Sequence, residues 1–255
     1  MLEPRKYRKP PLIEVICDFY FDPDPDTEWD PKLLAAFSEK VRQRGYPHDE
    51  DVPGRGPSAP RGARQPGIRR RRPKWQWRHR FSSTDGNKTA QVGENLLVVN
   101  QLPPWYGWSK FKEETLACLE FYRGIWPSNR IAHAGLHYVD MIDVPGDPFF
   151  FDDYFNLYPV LPEGIENWSV TNLAMAFEVI GSRPDDVCAI TYHQRPSSRP
   201  DLNRFRFRWD YISLGGLNSD QGEVGAWLET AHDFVDRAFR SAFTKKCEEL
   251  FEPED

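Results

Sequence analysis

The chain has 255 residues, with 39 acidic side chains against 33 basic ones and a formal net charge of −6. That length supports one sizeable domain or two small ones, and its 9 Trp and 17 Phe exclude a disordered or fibrous protein. No run approaches the ~20 apolar residues of a bilayer span, and the opening MLEPRKYRKPP lacks the apolar stretch of a secretion signal. Four scattered cysteines (Cys17, Cys118, Cys188 and Cys247) form neither CxxC pairs nor a disulfide frame, so the expectation is a soluble, cytoplasmic protein.

In chain order, Leu12 to Phe21 is a β-rich run halted by Asp22-Pro23-Asp24-Pro25. Asp30-Pro31 offers an N-cap and a first-turn proline to a helix carrying Leu33, Leu34, Phe37 and Val41 on one face and ending near Gly45. From Pro47 to Pro73 the chain is rich in Pro, Gly and Arg and almost devoid of large apolar side chains, which predicts a flexible basic loop. Asp85-Gly86-Asn87 and Gly93-Glu94-Asn95 punctuate three short strands and imply a meander of hairpins. Ser109 opens a second helix, with Gly124 as its stop. Ile131 to Val144, Trp168 to Ile180, Val187 to His193 and Arg204 to Leu214 read as strands. A final helix is predicted from about Glu223 to Leu250, its apolar side chains keeping a 3.6-residue period.

Two segments alternate strictly between polar and aromatic residues: Lys74 to Phe81, and Arg204 to Tyr211. In a strand this turns the rings to one face and the basic groups to the other. The expected architecture is therefore α+β, one domain over 1–255, with an antiparallel sheet laying its aromatic face on helices that include the long C-terminal one. The match between the two segments suggests an internal duplication.

Several pieces together resemble a sporadically distributed bacterial family of functionally uncharacterised proteins of about this size. They are Pro10-Pro11-Leu12-Ile13-Glu14-Val15, Phe81-Ser82-Ser83-Thr84-Asp85-Gly86, Gln91 to Asn100, and Tyr106-Gly107-Trp108 before a helix. Arg130-Ile131, Leu136-His137-Tyr138-Val139-Asp140 and the ending from Phe239 to Thr244 complete the set. Similar sequences read Arg-Tyr-hydrophobic-Asn where this chain has His137-Tyr138-Val139-Asp140. The resemblance implies no catalytic residue, and an antitoxin-like, chaperone-like or defence-associated role would suit it.

No catalytic or cofactor signature stands out. His133 and His137 lie four apart on one strand face, ~13 Å between Cα atoms, too far to share a metal ion. No serine sits on a GxSxG elbow, and Gly215-Gly216 and Gly222 match no phosphate loop. Neither a metal nor a cofactor is expected. Asp140 and Asp143, three apart, face opposite ways. What remains is basic surface. Arg55 to Arg80 holds ten Lys/Arg and no acid, which leaves 23 basic against 39 acidic residues elsewhere. Arg69, Arg70, Arg71, Arg72 and Lys74 lead into Arg78 and Arg80 on one strand, while Arg204, Arg206 and Arg208 line the other. Were the two strands neighbours, their arginines would crowd one sheet face and require carboxylates (Glu14, Asp18, Glu178 or Asp210) or an anionic ligand.

Three readings follow. The first is a non-enzymatic regulatory or partner-binding protein, with these basic residues as contacts for a protein partner. The second is a nucleic-acid binder through the arginine run, with Trp75 and Trp77 stacking on bases. The third is an enzyme with a site around His133, His137, Tyr138 and Asp140. The basic loop could equally serve as a tether onto the acidic body or as a protease-sensitive segment.

Overall fold

The computed structural model describes residues 6–23, 29, 32–54, 76–126, 130–146, 149–158 and 173–254. Strands β1 (Leu12–Phe21), β2 (His48–Gly54), β3 (Gln76–Ser82), β4 (Lys88–Gly93), β5 (Leu96–Gln101) and β6 (Arg130–Pro145) come from the first part of the chain. They are joined by β7 (Ala174–Ile180), β8 (Asp186–Arg195), β9 (Leu202–Ser213) and the short β10 (Leu217–Asn218). All pairings are antiparallel, in the order β2-β3-β4-β5-β1-β6-β9-β8-β7, with β10 on the end of β6. This is the α+β architecture expected. Outward from the central β1–β6 pair, each side passes through a three-strand meander taken in reverse: β5, β4, β3 on one side and β9, β8, β7 on the other.

Helices α1 (Leu33–Gln43), α2 (Trp108–Arg123), α3 (Phe151–Tyr154), α4 (Gln221–Ala242) and α5 (Lys245–Glu249) gather on one face of this sheet. The alternation of the strands dictates which face. Phe205, Phe207, Trp209 and Tyr211 of β9 are wholly buried, as are Val15, Cys17 and Phe19 of β1 and Phe81 of β3. On them sit Phe37 of α1, 5.4 Å from Phe81, Trp227 of α4, 6.1 Å from Tyr211, and Phe239 of α4, 6.1 Å from Trp209. Tyr122 of α2 pins a hairpin: its hydroxyl accepts from Leu96 N–H and donates to the Gly93 carbonyl, both at 3.0 Å. No helix among the described residues is long and apolar enough to cross a membrane.

Three expectations need correction. Residues 48–54 do not belong to a structureless loop but form β2, because acidic side chains there meet the basic ones of β3. His79 contacts Asp49 at 3.0 Å and Asp51 at 2.8 Å, and Arg80 Nε donates to Glu50 at 3.1 Å. The rest of that segment, from residue 55 to 75, lies outside the described residues, as do Asp30 and Pro31 and the start of the Trp168–Ile180 run. The final helix also breaks. Phe243 turns extended to bridge Phe155, and Thr244 caps α5 by accepting from Cys247 N–H, so the unbroken helix ends at Ala242, ~33 Å long.

Finally, β3 and β9 are not neighbours. Four strands lie between them, and in the outward order β3 corresponds to β7 and β9 to β5. The entry to α4 shows how local chemistry sets an element boundary: Asp220 accepts from Gly222 N–H at 2.9 Å and Glu223 N–H at 3.0 Å. Asp220→Ala is expected to cost about 1 kcal/mol, read as a lower urea midpoint at unchanged slope.

Candidate functional site

The face turned away from the helices is polar, and its residues follow from the pairing registers. Across β5, β1, β6 and β9 it carries Val98, Asp18, Gly135 and Ile212 in one row, and Asn100, Ile16, His137 and Asp210 in the next. Toward β3 lie Gln91 and Arg80, and toward β8 lie Thr191 opposite Arg208 and His193 opposite Arg206.

At the centre His137 is held between two carboxylates. Its Nδ1 donates to Asp210 at 2.6 Å and its Nε2 to Asp18 at 3.2 Å, and Arg208 Nε donates to the same Asp210 oxygen at 2.6 Å. His137 retains only 8% side-chain exposure. Burial by itself would push the imidazole down, but Asp18 and Asp210 overcome it and hold the ring up at about 9. Burial would likewise raise Asp210, yet His137 and Arg208 keep it below the usual carboxylate range. At neutral pH the ring is therefore an imidazolium and Asp210 a carboxylate, with Arg208 and Asp18 completing the cluster. Gly135 makes it possible, because a Cβ there would stand 2.4 Å from His137 Nε2 and 2.6 Å from Asp18 Oδ1. An imidazolium with both nitrogens engaged is a poor general base.

Along β9 the positive charge grows. Arg204 makes a two-pronged pair with Asp143, at 2.6 and 2.7 Å, and directly opposes Arg195. Arg206 lies between Met141 and His193, and its Nε is buried with no hydrogen-bond partner among the described residues. His193 registers the local field: burial, then Arg195 and Arg206, push its imidazole below the ordinary value. On the next strand the facing positions are Ala174 and Ala176, both exposed, which leave this end uncovered by long side chains.

The arginines singled out in the sequence thus divide. Arg80 is taken by Glu50, Arg204 by Asp143 and Arg208 by Asp210. Arg78 reaches Tyr20 on β1, where its charge and hydrogen bond partly offset the rise that burial and Asp18 impose on the phenol. Arg69, Arg70, Arg71, Arg72 and Lys74 lie outside the described residues, as does Trp75. Because β3 and β9 are not adjacent, Arg78 and Arg80 form no common patch with Arg204, Arg206 and Arg208. Among the four acids named as neutralisers, Asp210 serves, whereas Glu14 accepts from Asn100 Nδ2 at 3.0 Å. Glu50, His193 and Arg195 are not singled out by the sequence, and Asp143 is weighed there only beside Asp140 and not as the partner of Arg204. His193 closes the predicted strand Val187 to His193, and Arg195 was hidden because β8 runs two residues further than that prediction.

The cluster His133, His137, Tyr138 and Asp140 does not assemble, because β6 sends these residues to both faces. His137 lies on the polar face with His133, whose imidazole is lowered chiefly by burial. Tyr138 and Asp140 point into the helix side. There the Tyr138 hydroxyl meets Nδ1 of His232 at 2.8 Å, and His232 stacks on Trp108 at 4.1 Å. Trp108 Nε1 in turn donates to Glu229 at 2.8 Å, so this chain ties β6 to α4 and α2. Asp140 accepts from Trp209 Nε1 at 2.8 Å. It faces away from Asp143, as expected. All four cysteines are buried, and burial raises each thiol. Comparison with protein-family models, curated proteins and solved structures finds no match.

Proposed function

We infer that this chain acts by binding, and that the β8–β9 end of its polar sheet face receives an acidic segment of another protein. The observation that carries this is the local charge imbalance around Arg206. Arg195, Arg204, Arg206 and Arg208 share that end of the face with Asp143 and Asp210, the carboxylates paired there among the described residues, and with the exposed Glu178 opposite Ala189, while Asp210 also serves the His137 imidazolium. Arginine's planar fork pairs well with carboxylates, and a surplus of it beside exposed alanines gives an extended acidic chain room to lie down. A role in catalysis finds less support: the central histidine has both nitrogens occupied and the thiols are buried and protonated. The symmetric order of the two meanders supports reading the chain as an internal duplication, and among the described residues this basic end belongs to the half that holds β8 and β9.

Fluorescence anisotropy with a labelled oligoglutamate peptide tests the reading on the full chain. Wild type is expected to bind with an affinity that falls as salt rises. The double variant Arg195→Glu/Arg206→Glu should weaken binding at least about tenfold, since two attractive contacts become repulsive. Arg199→Glu provides a control, because Arg199 is an exposed loop residue paired with Asp201. Equal binding by the double variant and the control would overturn the assignment. So would tight binding of a single-stranded oligonucleotide by a protein that ignores the peptide.

A further inference from the structure

The two ends of the sheet are built differently. At one end β2 reads His48-Asp49-Glu50-Asp51-Val52-Pro53-Gly54, with three consecutive acids and a proline. Charges and proline on an edge are what keeps a strand from pairing with another chain. At the other end β7 reads Ala174-Met175-Ala176-Phe177-Glu178-Val179-Ile180, with one charge and no proline. It pairs with β8 alone among the described residues. Val179 is 38% exposed and Ile180 77%, although both are large and apolar.

The backbone of β7 can be assigned group by group. The Leu173 carbonyl accepts from Gln194 N–H at 2.9 Å, and Gly181 N–H donates to the Asp186 carbonyl at 2.7 Å. Hydrogen-bonded positions alternate along an antiparallel pair, so the odd-numbered residues between these points turn their polar groups to β8. The N–H and C=O groups of Ala174, Ala176, Glu178 and Ile180 are then directed outward from the sheet.

We propose that β7 is a self-association edge, on which a second copy of this chain pairs its own β7 antiparallel about a two-fold axis between the two Phe177 residues. The register follows from the sequence. Centred on Phe177, it sets Ala176 opposite Glu178 and Ala174 opposite Ile180 of the second copy, so every outward N–H and C=O of the strand finds a partner. Met175 meets Val179 and Phe177 meets Phe177 on the helix side, which places apolar side chains together across the seam. A shift to a centre on Glu178 would set two carboxylates face to face, and a shift to Ala176 would leave Ile180 unpaired. A two-fold axis perpendicular to the sheet also keeps the helices of both copies on one side, and the two sheets become one.

Sedimentation of the full chain over a range of concentrations tests this. Wild type should approach twice its 29.8 kDa mass at sub-millimolar concentration. Ala176→Pro removes one outward N–H, leaves the β8 ladder intact, and should sediment as a monomer. Ala176→Glu places like charges opposite each other twice per dimer and should weaken association about tenfold, whereas Ala176→Lys, facing Glu178, should not. This pair of variants decides the matter even if the proline variant fails to fold. A wild-type monomer throughout, an Ala176→Pro dimer of wild-type affinity, or equal weakening by Glu and Lys would each overturn the proposal.

Discussion

Replacing His137 with leucine is expected to lower the free energy of unfolding by about 3–5 kcal/mol at neutral pH, the cost of leaving a buried charge cluster without its central cation. Asp18 and Asp210 retain 17% and 13% side-chain exposure and reach His137 from opposite sides. Without the ring they face each other across a gap, with Arg208 still paired to Asp210. The pH dependence identifies the cause. The folded imidazole is held at about 9, whereas an unfolded histidine titrates near 6.5, a difference worth roughly 3 kcal/mol. Its stabilisation is thus complete below about pH 6.5 and lost as pH rises through about 9, so the gap between wild type and variant should narrow across that interval. Asp210 has the opposite sign: its folded carboxyl is depressed, and its contribution disappears as pH falls below the unfolded value. Urea titrations at pH 6, 8 and 10 would measure this. A loss under about 1 kcal/mol, or a gap that does not change with pH, would mean that the cluster is not charged.

How much of this is legible in the sequence depends on the range of the interaction. The faces of β1 and β9 were readable because a period of two is a local property, and the inward Phe205, Phe207, Trp209 and Tyr211 are where the alternation puts them. β2 was hidden for the reason that suits it to an edge: three acids and a proline leave no apolar face to detect. The break after Ala242 was masked by an apolar period that continues through Phe243, although that residue is extended and packs on Phe155. The charge cluster joins residues 73 and 119 positions apart, from three adjacent strands. Its polarity was visible in each strand, but the order β1-β6-β9 was not, because strand order is set by non-local packing. Similar alternation in two segments therefore left their adjacency open, and the fold has four strands between them.

A second titration lies on the other side of the same strand. Asp140 is 3% exposed, and burial pushes its carboxyl up to about 7, despite the opposing effect of the Trp209 N–H that it accepts. Between about pH 4 and 7 the unfolded chain loses this proton while the folded chain keeps it, so stability falls as pH rises through that window, by at most roughly 4 kcal/mol. Asparagine preserves the acceptor for Trp209 and cannot ionise, but it buries an amide N–H pair that needs partners. Asp140→Asn is accordingly expected to be no more stable than wild type at pH 4.5, and more stable by roughly 2 kcal/mol at pH 8. Equilibrium unfolding at the two pH values checks it, and an equal effect at both would show the carboxyl already ionised in the folded protein at pH 4.5. The windows of Asp140 and His137 adjoin and slope the same way, so these two groups together impose a decline from mildly acidic to alkaline pH, against the opposite slopes of His133, His193 and His232 below about pH 6.5. Asp140→Asn should flatten the acidic part of that decline and His137→Leu the alkaline part. A curve in which either variant flattened the other's interval would place the responsible proton elsewhere.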